Sequence, residues 1–270
     1  MMSTCTSKKG RKLESLLDQD WKKVKPIDWT LLLENPYPST VYGLDLSVEN
    51  PSLTRIRSSD KSVLIVGYRN RVSERNPVHQ TFEWLPNGIQ KGWTVRVELR
   101  ERPVISQSLS VYRFNRYDAW IQDLMSYFTD ATSSDMIGIE HYAYNALNSH
   151  ATTLLYELGA TIRMALVRRG LSVVELPPTT VKKLFSGDGR ADKAGMYKVY
   201  CEQKLPDLFH ALDLRDSHQY TQVPHPVEDM VDSFAVASTL WWSKCPSAAA
   251  VHRKKKSGLE HRSKKVKVEV

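Results

Sequence analysis

The chain has 270 residues, 41% of them apolar, enough to bury a real core in one α/β domain with extensions or in two small domains. Its three cysteines, Cys5, Cys201 and Cys245, are odd in number and far apart, which speaks against a paired-cysteine zinc site or a disulfide framework and for a reduced, intracellular protein. No apolar run approaches the roughly 18 residues that span a bilayer, and charges occupy the N-terminus where a secretory signal needs an apolar core, so no membrane association is expected and the chain reads as soluble and unprocessed.

The net charge of +8 is unevenly placed. Residues 251–270 hold eight Lys/Arg against two acids, and residues 1–25 hold seven against three, which leaves the body slightly acidic. Residues 1–38 therefore read as a basic, polar extension, 39–245 as the folded body, and 246–270 as a flexible basic tail. Basic arms of this kind suit salt-dependent phosphate contacts. The clusters HRKKK and HRSKKVKV also fit a two-part nuclear import signal.

In chain order, STVYGLDLS (39–47) is a β-branched and aromatic run that predicts a first strand. KSVLIVGYR (61–69) and GWTVRVELRE (92–101) predict two more, the latter alternating Trp93, Val95, Val97 and Leu99 on one face. Residues 115–130 place Trp120, Leu124 and Phe128 four apart, the spacing of a helix face. SDMIGIE (134–140) predicts a fourth strand, residues 148–169 a long helix, and LSVVEL (171–176) a fifth strand stopped by Pro177 and Pro178. Thr179 or Thr180 is then placed to cap a helix that begins with VKKLF. The predicted order is β-β-β-α-β-α-β-α-α: a three-strand meander, then parallel crossovers. This is the layout of an α/β, RNase H-like fold with a mixed five-stranded sheet flanked by helices.

Four carboxylates stand where such a sheet gathers side chains. Asp45 lies in the first strand, Glu140 ends the fourth, and Asp229 and Asp232 open the last helix one turn apart on one face. A carboxylate inside an apolar strand such as YGLDLS is costly, which favours a functional reading of Asp45. Singly, Glu140 is also what a solvated strand end looks like, and Asp229 suits the positive end of a helix. Glu228 stands as an alternative to Asp229, since sequence does not fix the helix phase to one residue. Four converging acids require divalent cations between them; Mg2+ fits hard oxygen donors, with Mn2+ as a substitute, and two ions together support phosphodiester hydrolysis.

GLDLS (43–47), IE at 139–140, VKKLFSGDGRADK (181–193) and EDMVDSFAVA (228–237) together resemble the four sequence blocks of RuvC-type Holliday-junction resolvases, over residues 39–242. The DMVDS run followed by AVASTLWW is similar to the fungal mitochondrial and poxviral branches. The resemblance implies an endodeoxyribonuclease in which Asp45, Glu140, Asp229 and Asp232 bind the ions, while Lys182 and Lys193 approach the scissile phosphate. It also implies DNA contacts from Lys183 and Arg190, and an aromatic wedge at the branch point from Tyr142 or Tyr144; core packing is the plainer role for either tyrosine. The implied reaction is in-line attack of water, leaving 5′-phosphate and 3′-hydroxyl ends on four-way or branched DNA. Two symmetric nicks imply a homodimer. Residues 148–170 offer Leu154, Leu155, Leu158, Ile162, Ala165 and Leu166 to the core or to that partner. The long segment between Asp45 and Glu140, residues 203–226 and both tails depart from the compact bacterial pattern. Another RNase H-like nuclease, terminase-type or RNA-strand hydrolase, and a junction-binding protein that does not cut are the competing readings.

Overall fold

β1 (Thr40–Asp45) is the axis of the molecule, and apart from Asp45 its residues are all buried. The structure is a computed structural model and describes residues 40–47, 50–70, 79–85, 92–100, 108–141, 149–202, 205–208 and 226–244. The two terminal segments, Tyr142 and Tyr144 lie outside them.

The strands that follow are β2 (Ser52–Arg57), β3 (Ser62–Asn70), β4 (His79–Trp84), β5 (Trp93–Arg100), β6 (Met136–Glu140) and β7 (Ser172–Leu176). They form one seven-stranded sheet in the order β4-β5-β3-β2-β1-β6-β7. β1, β2 and β3 pair antiparallel, and β1, β6 and β7 pair parallel. That antiparallel meander joined to two parallel crossovers is the RNase H-like arrangement. The sheet has two strands more than the five expected. β2 escaped notice because Ser52 and Thr54, on its buried face, look like loop residues; both are fully buried and their hydroxyls bond to a helix. β4 is a six-residue edge strand rich in polar side chains. The predicted meander also changes: β5 runs parallel beside β3, with Val63 opposite Trp93 and Ile65 opposite Val95.

Among the described residues five helices cover the sheet: α1 (Leu109–Ser126), α2 (Ser149–Arg168), α3 (Pro178–Ser186), α4 (Lys193–Glu202) and α5 (Val227–Lys244). α1 and α2 pack on the face that carries Tyr42, Leu44, Leu53, Val66, Ile137 and Ile139. α3, α4 and α5 pack on the other, against Val41, Ile56, Val63, Ile65, Val95 and Val97. These two sets follow from the period of two along a strand. α3 starts earlier than expected, with Pro177 as its first flanking residue, Pro178 inside its first turn and no side-chain cap from Thr179 or Thr180. Proline is suited to that turn because its missing N–H has no partner there anyway. Gly187 ends α3 at φ 82°, a left-handed conformation that glycine adopts without a Cβ penalty.

Leu158, Ile162 and Leu166 of α2 are buried in the protein's own core, and Leu154 and Ala165 pack against it. Among the described residues, the large apolar side chains that α2 leaves exposed are Tyr156, Met164 and Val167. No helix among the described residues is long and apolar enough to cross a membrane.

Candidate active site

The register of the central strands brings two acids together. β1 and β6 pair Gly43 with Gly138 and Leu44 with Ile139, and the next residues on each strand are Asp45 and Glu140. Adjacent strands lie about 4.8 Å apart. By strand alternation, both acids fall on the face covered by α5, the same face as Gly43 and Gly138.

α5 lies in a trough of small residues that crosses this face. At Gly43 a Cβ would stand 2.2 Å from the Ser233 carbonyl oxygen and 2.4 Å from the Ala237 nitrogen; at Gly138 and Gly67 it would meet Val236 and Met230 at 2.9 Å. Thr54 and Ser233 share a hydroxyl hydrogen bond of 2.9 Å, and the Ser52 hydroxyl donates to the Asp229 carbonyl oxygen. Helix and sheet therefore touch backbone to backbone, and these bonds fix where the first two turns of α5 present Asp229 and Asp232.

A cleft of about 290 Å³ opens at this end of the sheet, lined by Asp45, Glu140, Asp232, Lys182, Lys193, Leu46, His141, Leu155, Pro178 and Met196. Asp229 is buried beside it, with 4% of its surface exposed. Burial, then the charges of Asp229, Asp232 and Glu140, push the Asp45 carboxyl well above the usual carboxylate range, with Lys193 opposing. Burial and Glu140 push Asp232 up to about 7, against the pull of Lys193 and Lys182. Burial also raises Glu140, and Lys182 draws it back. These shifts measure how costly the cluster is as bare charge.

The donor set fits hard divalent cations: four carboxylates come from three elements, and the raised proton affinity of Asp45, Glu140 and Asp232 is what a dication would reverse. Among the described residues, no three His, Cys, Asp or Glu side chains already close on a common point as a finished metal cage.

Of the expected DNA contacts, Lys182 and Lys193 reach the cleft, whereas Lys183 and Arg190 are exposed and outside its lining. Glu228, the alternative to Asp229, bonds to the Lys193 ammonium; neither of the two lines the cleft itself. Sequence reasoning missed His141, which lies in the cleft wall. Its imidazole faces Glu175 at 3.5 Å, and Glu175 is held by Arg163 at 2.6 Å. Its position directly after Glu140 was the available signal.

No protein-family model matches the chain. Over 114 residues it is 26% identical to the crossover junction endodeoxyribonuclease RuvC of Synechococcus sp. (strain WH7803), a match that takes in 42% of this chain and 63% of that protein. The chain thus spans less than two thirds of that relative's length. Solved structures with similarity include Thermus thermophilus RuvC (14% identity, TM-score 0.39, 76% of this chain and 95% of that one). T. thermophilus RuvC in complex with a Holliday junction substrate gives 12% identity and a TM-score of 0.41, covering 76% and 94%. The yeast mitochondrial Holliday junction resolvase Ydc2 gives 17% identity and a TM-score of 0.45, covering 85% and 92%. In sequence, the chain resembles RuvC-type resolvases.

Proposed function

We propose that the protein is a structure-selective DNA endonuclease that resolves Holliday junctions and related branched DNA by paired symmetric nicks, acting as a homodimer on DNA inside the cell. The observation that carries this reading is the single cleft in which Asp45, Glu140 and Asp232 stand opposite Lys182 and Lys193. A purely structural cluster gains nothing from so much buried like charge, and a protein that only binds polyanionic DNA gains less.

In this reading Asp45, Glu140, Asp229 and Asp232 hold two Mg2+ ions, with Mn2+ as a substitute. When bound, the ions supply activation of the attacking water and stabilisation of the entering and leaving oxygens. Lys182 and Lys193 bind the scissile phosphate and balance its charge against the acids. Leu46, Leu155, Pro178 and Met196 are the apolar part of the cleft lining, and the lower local polarity beside them strengthens each of these electrostatic contacts. The products carry 5′-phosphate and 3′-hydroxyl ends. In the same reading Lys183 and Arg190 contact the flanking backbone, and Tyr142 or Tyr144 stacks at the branch point. The outward Tyr156, Met164 and Val167 of α2 offer an apolar face for the two-fold partner.

The test is nicking of a labelled four-way junction beside a linear duplex and an RNA–DNA hybrid, with Mg2+ or EDTA, for wild type and Asp45→Asn. Paired nicks on the junction alone, lost with EDTA and with the substitution, support the proposal. Cutting of the hybrid or of every duplex points to a broader RNase H-like nuclease. Tight junction binding without a cut points to a non-cutting junction-binding protein.

A further inference from the structure

Glu228 stands one residue before Asp229 in the first turn of α5, and its carboxylate is bonded to the Lys193 ammonium. Neither it nor Asp229 lines the cleft, but Asp229 acts on both Asp45 and Asp232, whereas the carboxylates acting most on those two do not include Glu228. Its side chain is nearly buried, at 8% exposure, and it accepts a hydrogen bond from the Lys193 ammonium, whose own side chain is 57% exposed. A buried carboxylate is costly unless a cation answers it, and Lys193 is that cation.

Lys193 opens α4, and its flexible stem would otherwise leave the ammonium free to wander over the surface. Burial opposes its charge, but the hydrogen bond and charge of Glu228, with Asp229 and Asp232 adding, outweigh burial and raise its pKa above the ordinary lysine value. The pair therefore joins the start of α4 to the helix that carries Asp229 and Asp232.

We infer that Glu228 is a positioning residue and not a metal ligand: it holds the Lys193 ammonium at the edge of the cleft, so the cation meant for the scissile phosphate is in place before DNA arrives. This rests on the nuclease reading above. Ordering a group in advance removes a cost from each turnover, so the effect falls on the chemical step more than on binding.

The experiment measures single-turnover nicking of a four-way junction by the full-length protein, with the junction dissociation constant taken separately with Ca2+ in place of Mg2+. Glu228→Gln is expected to slow the rate constant about tenfold, while the dissociation constant and the half-saturating Mg2+ concentration stay within about twofold. The double variant with Lys193→Gln is expected to be no slower than Lys193→Gln alone. A raised Mg2+ requirement at full maximal rate would make Glu228 a ligand; a wild-type rate, or a loss that adds to that of Lys193→Gln, would equally overturn the inference. If Glu228→Gln does not fold, Lys193→Arg, which keeps charge but changes the fit, is expected to give the same split, and a full rate there is the adverse result. If the wild type nicks nothing, the nuclease reading fails, and NMR of ¹⁵N-lysine protein still decides the pairing. A slowly exchanging Lys193 ammonium signal should then vanish in Glu228→Gln, and a signal that is absent from wild type or unchanged in the variant overturns it.

Discussion

Gly43 and Ser233 meet so closely that any side chain on the glycine would drive into the backbone of α5: a Cβ there would lie 2.2 Å from the Ser233 carbonyl oxygen. This contact sits two residues before Asp45 on β1 and one after Asp232 on α5, so it sets how far apart those acids stand. Gly43→Ala is expected to destabilise the protein by about 3 kcal/mol or more, since backbone cannot yield as a side chain can. Gly138→Ala meets only side-chain atoms, of Val236, Leu240 and Leu176 at 2.9, 3.3 and 3.5 Å, and is expected to cost about 1 kcal/mol. Chemical denaturation of the two variants checks the contrast; equal losses would mean that α5 shifts freely over the sheet.

Asp45→Asn is expected to lower nicking at least about a hundredfold, because it removes a charged oxygen from the centre of the acid cluster. The same change is expected to raise the melting temperature in EDTA at alkaline pH, since it removes a carboxyl whose ionisation is opposed by burial and by the charges of Asp229, Asp232 and Glu140. Activity lost together with stability would instead mark Asp45 as a structural residue. Thermal melts beside the nicking assay separate the two.

Stability should also depend on pH in a direction opposite to that of most proteins. An unfolded aspartate titrates near about 4, whereas folded Asp232 is pushed up to about 7. Between those values the folded state keeps a proton that the unfolded state has released. The metal-free protein therefore loses stability from this group as pH rises from about 4 to about 7, and the loss levels off above. Asp45 and Glu140, both raised, act in the same direction. Melting curves in EDTA at pH 5, 6 and 8 should show the decline, Asp232→Asn should flatten it, and Mg2+ should restore stability at the alkaline end. An unchanged slope in the variant would locate the dependence elsewhere.

The sequence made the acids visible and the scaffold only partly so. Asp45 and Glu140 were legible because each interrupts or ends an apolar run, and Asp229 and Asp232 because a spacing of three is one helical turn. The phase of that helix was not legible: it is set by the packing of Ser233 and Ala237 on Gly43, and the bond of Glu228 to Lys193 is made across the fold. β2 was missed because Ser52 and Thr54 are polar residues in a core position, and their burial is tolerable only through bonds to Asp229 and Ser233, far along the chain. His141 was passed over for a related reason. Its partners, Glu175 and Arg163, come from β7 and α2, and no local pattern announces a contact made across a fold.

Neighbouring lysines on α3 give the sharpest separation of catalysis from binding. Lys182 lines the cleft and acts on Glu140 and Asp232, while Lys183, the next residue, is exposed and outside the lining. Lys182→Ala is expected to slow single-turnover nicking by about tenfold to a hundredfold with little change in junction affinity, because its charge matters most where charge develops on the phosphate. Lys183→Ala is expected to leave that rate alone and to weaken binding modestly, reducing the slope of log affinity against log salt by about one. The two measurements must be made on the same junction across a salt series. If Lys183→Ala slows nicking at saturation as much as Lys182→Ala does, α3 presents a different face to DNA than the cleft implies, and the two lysines exchange roles.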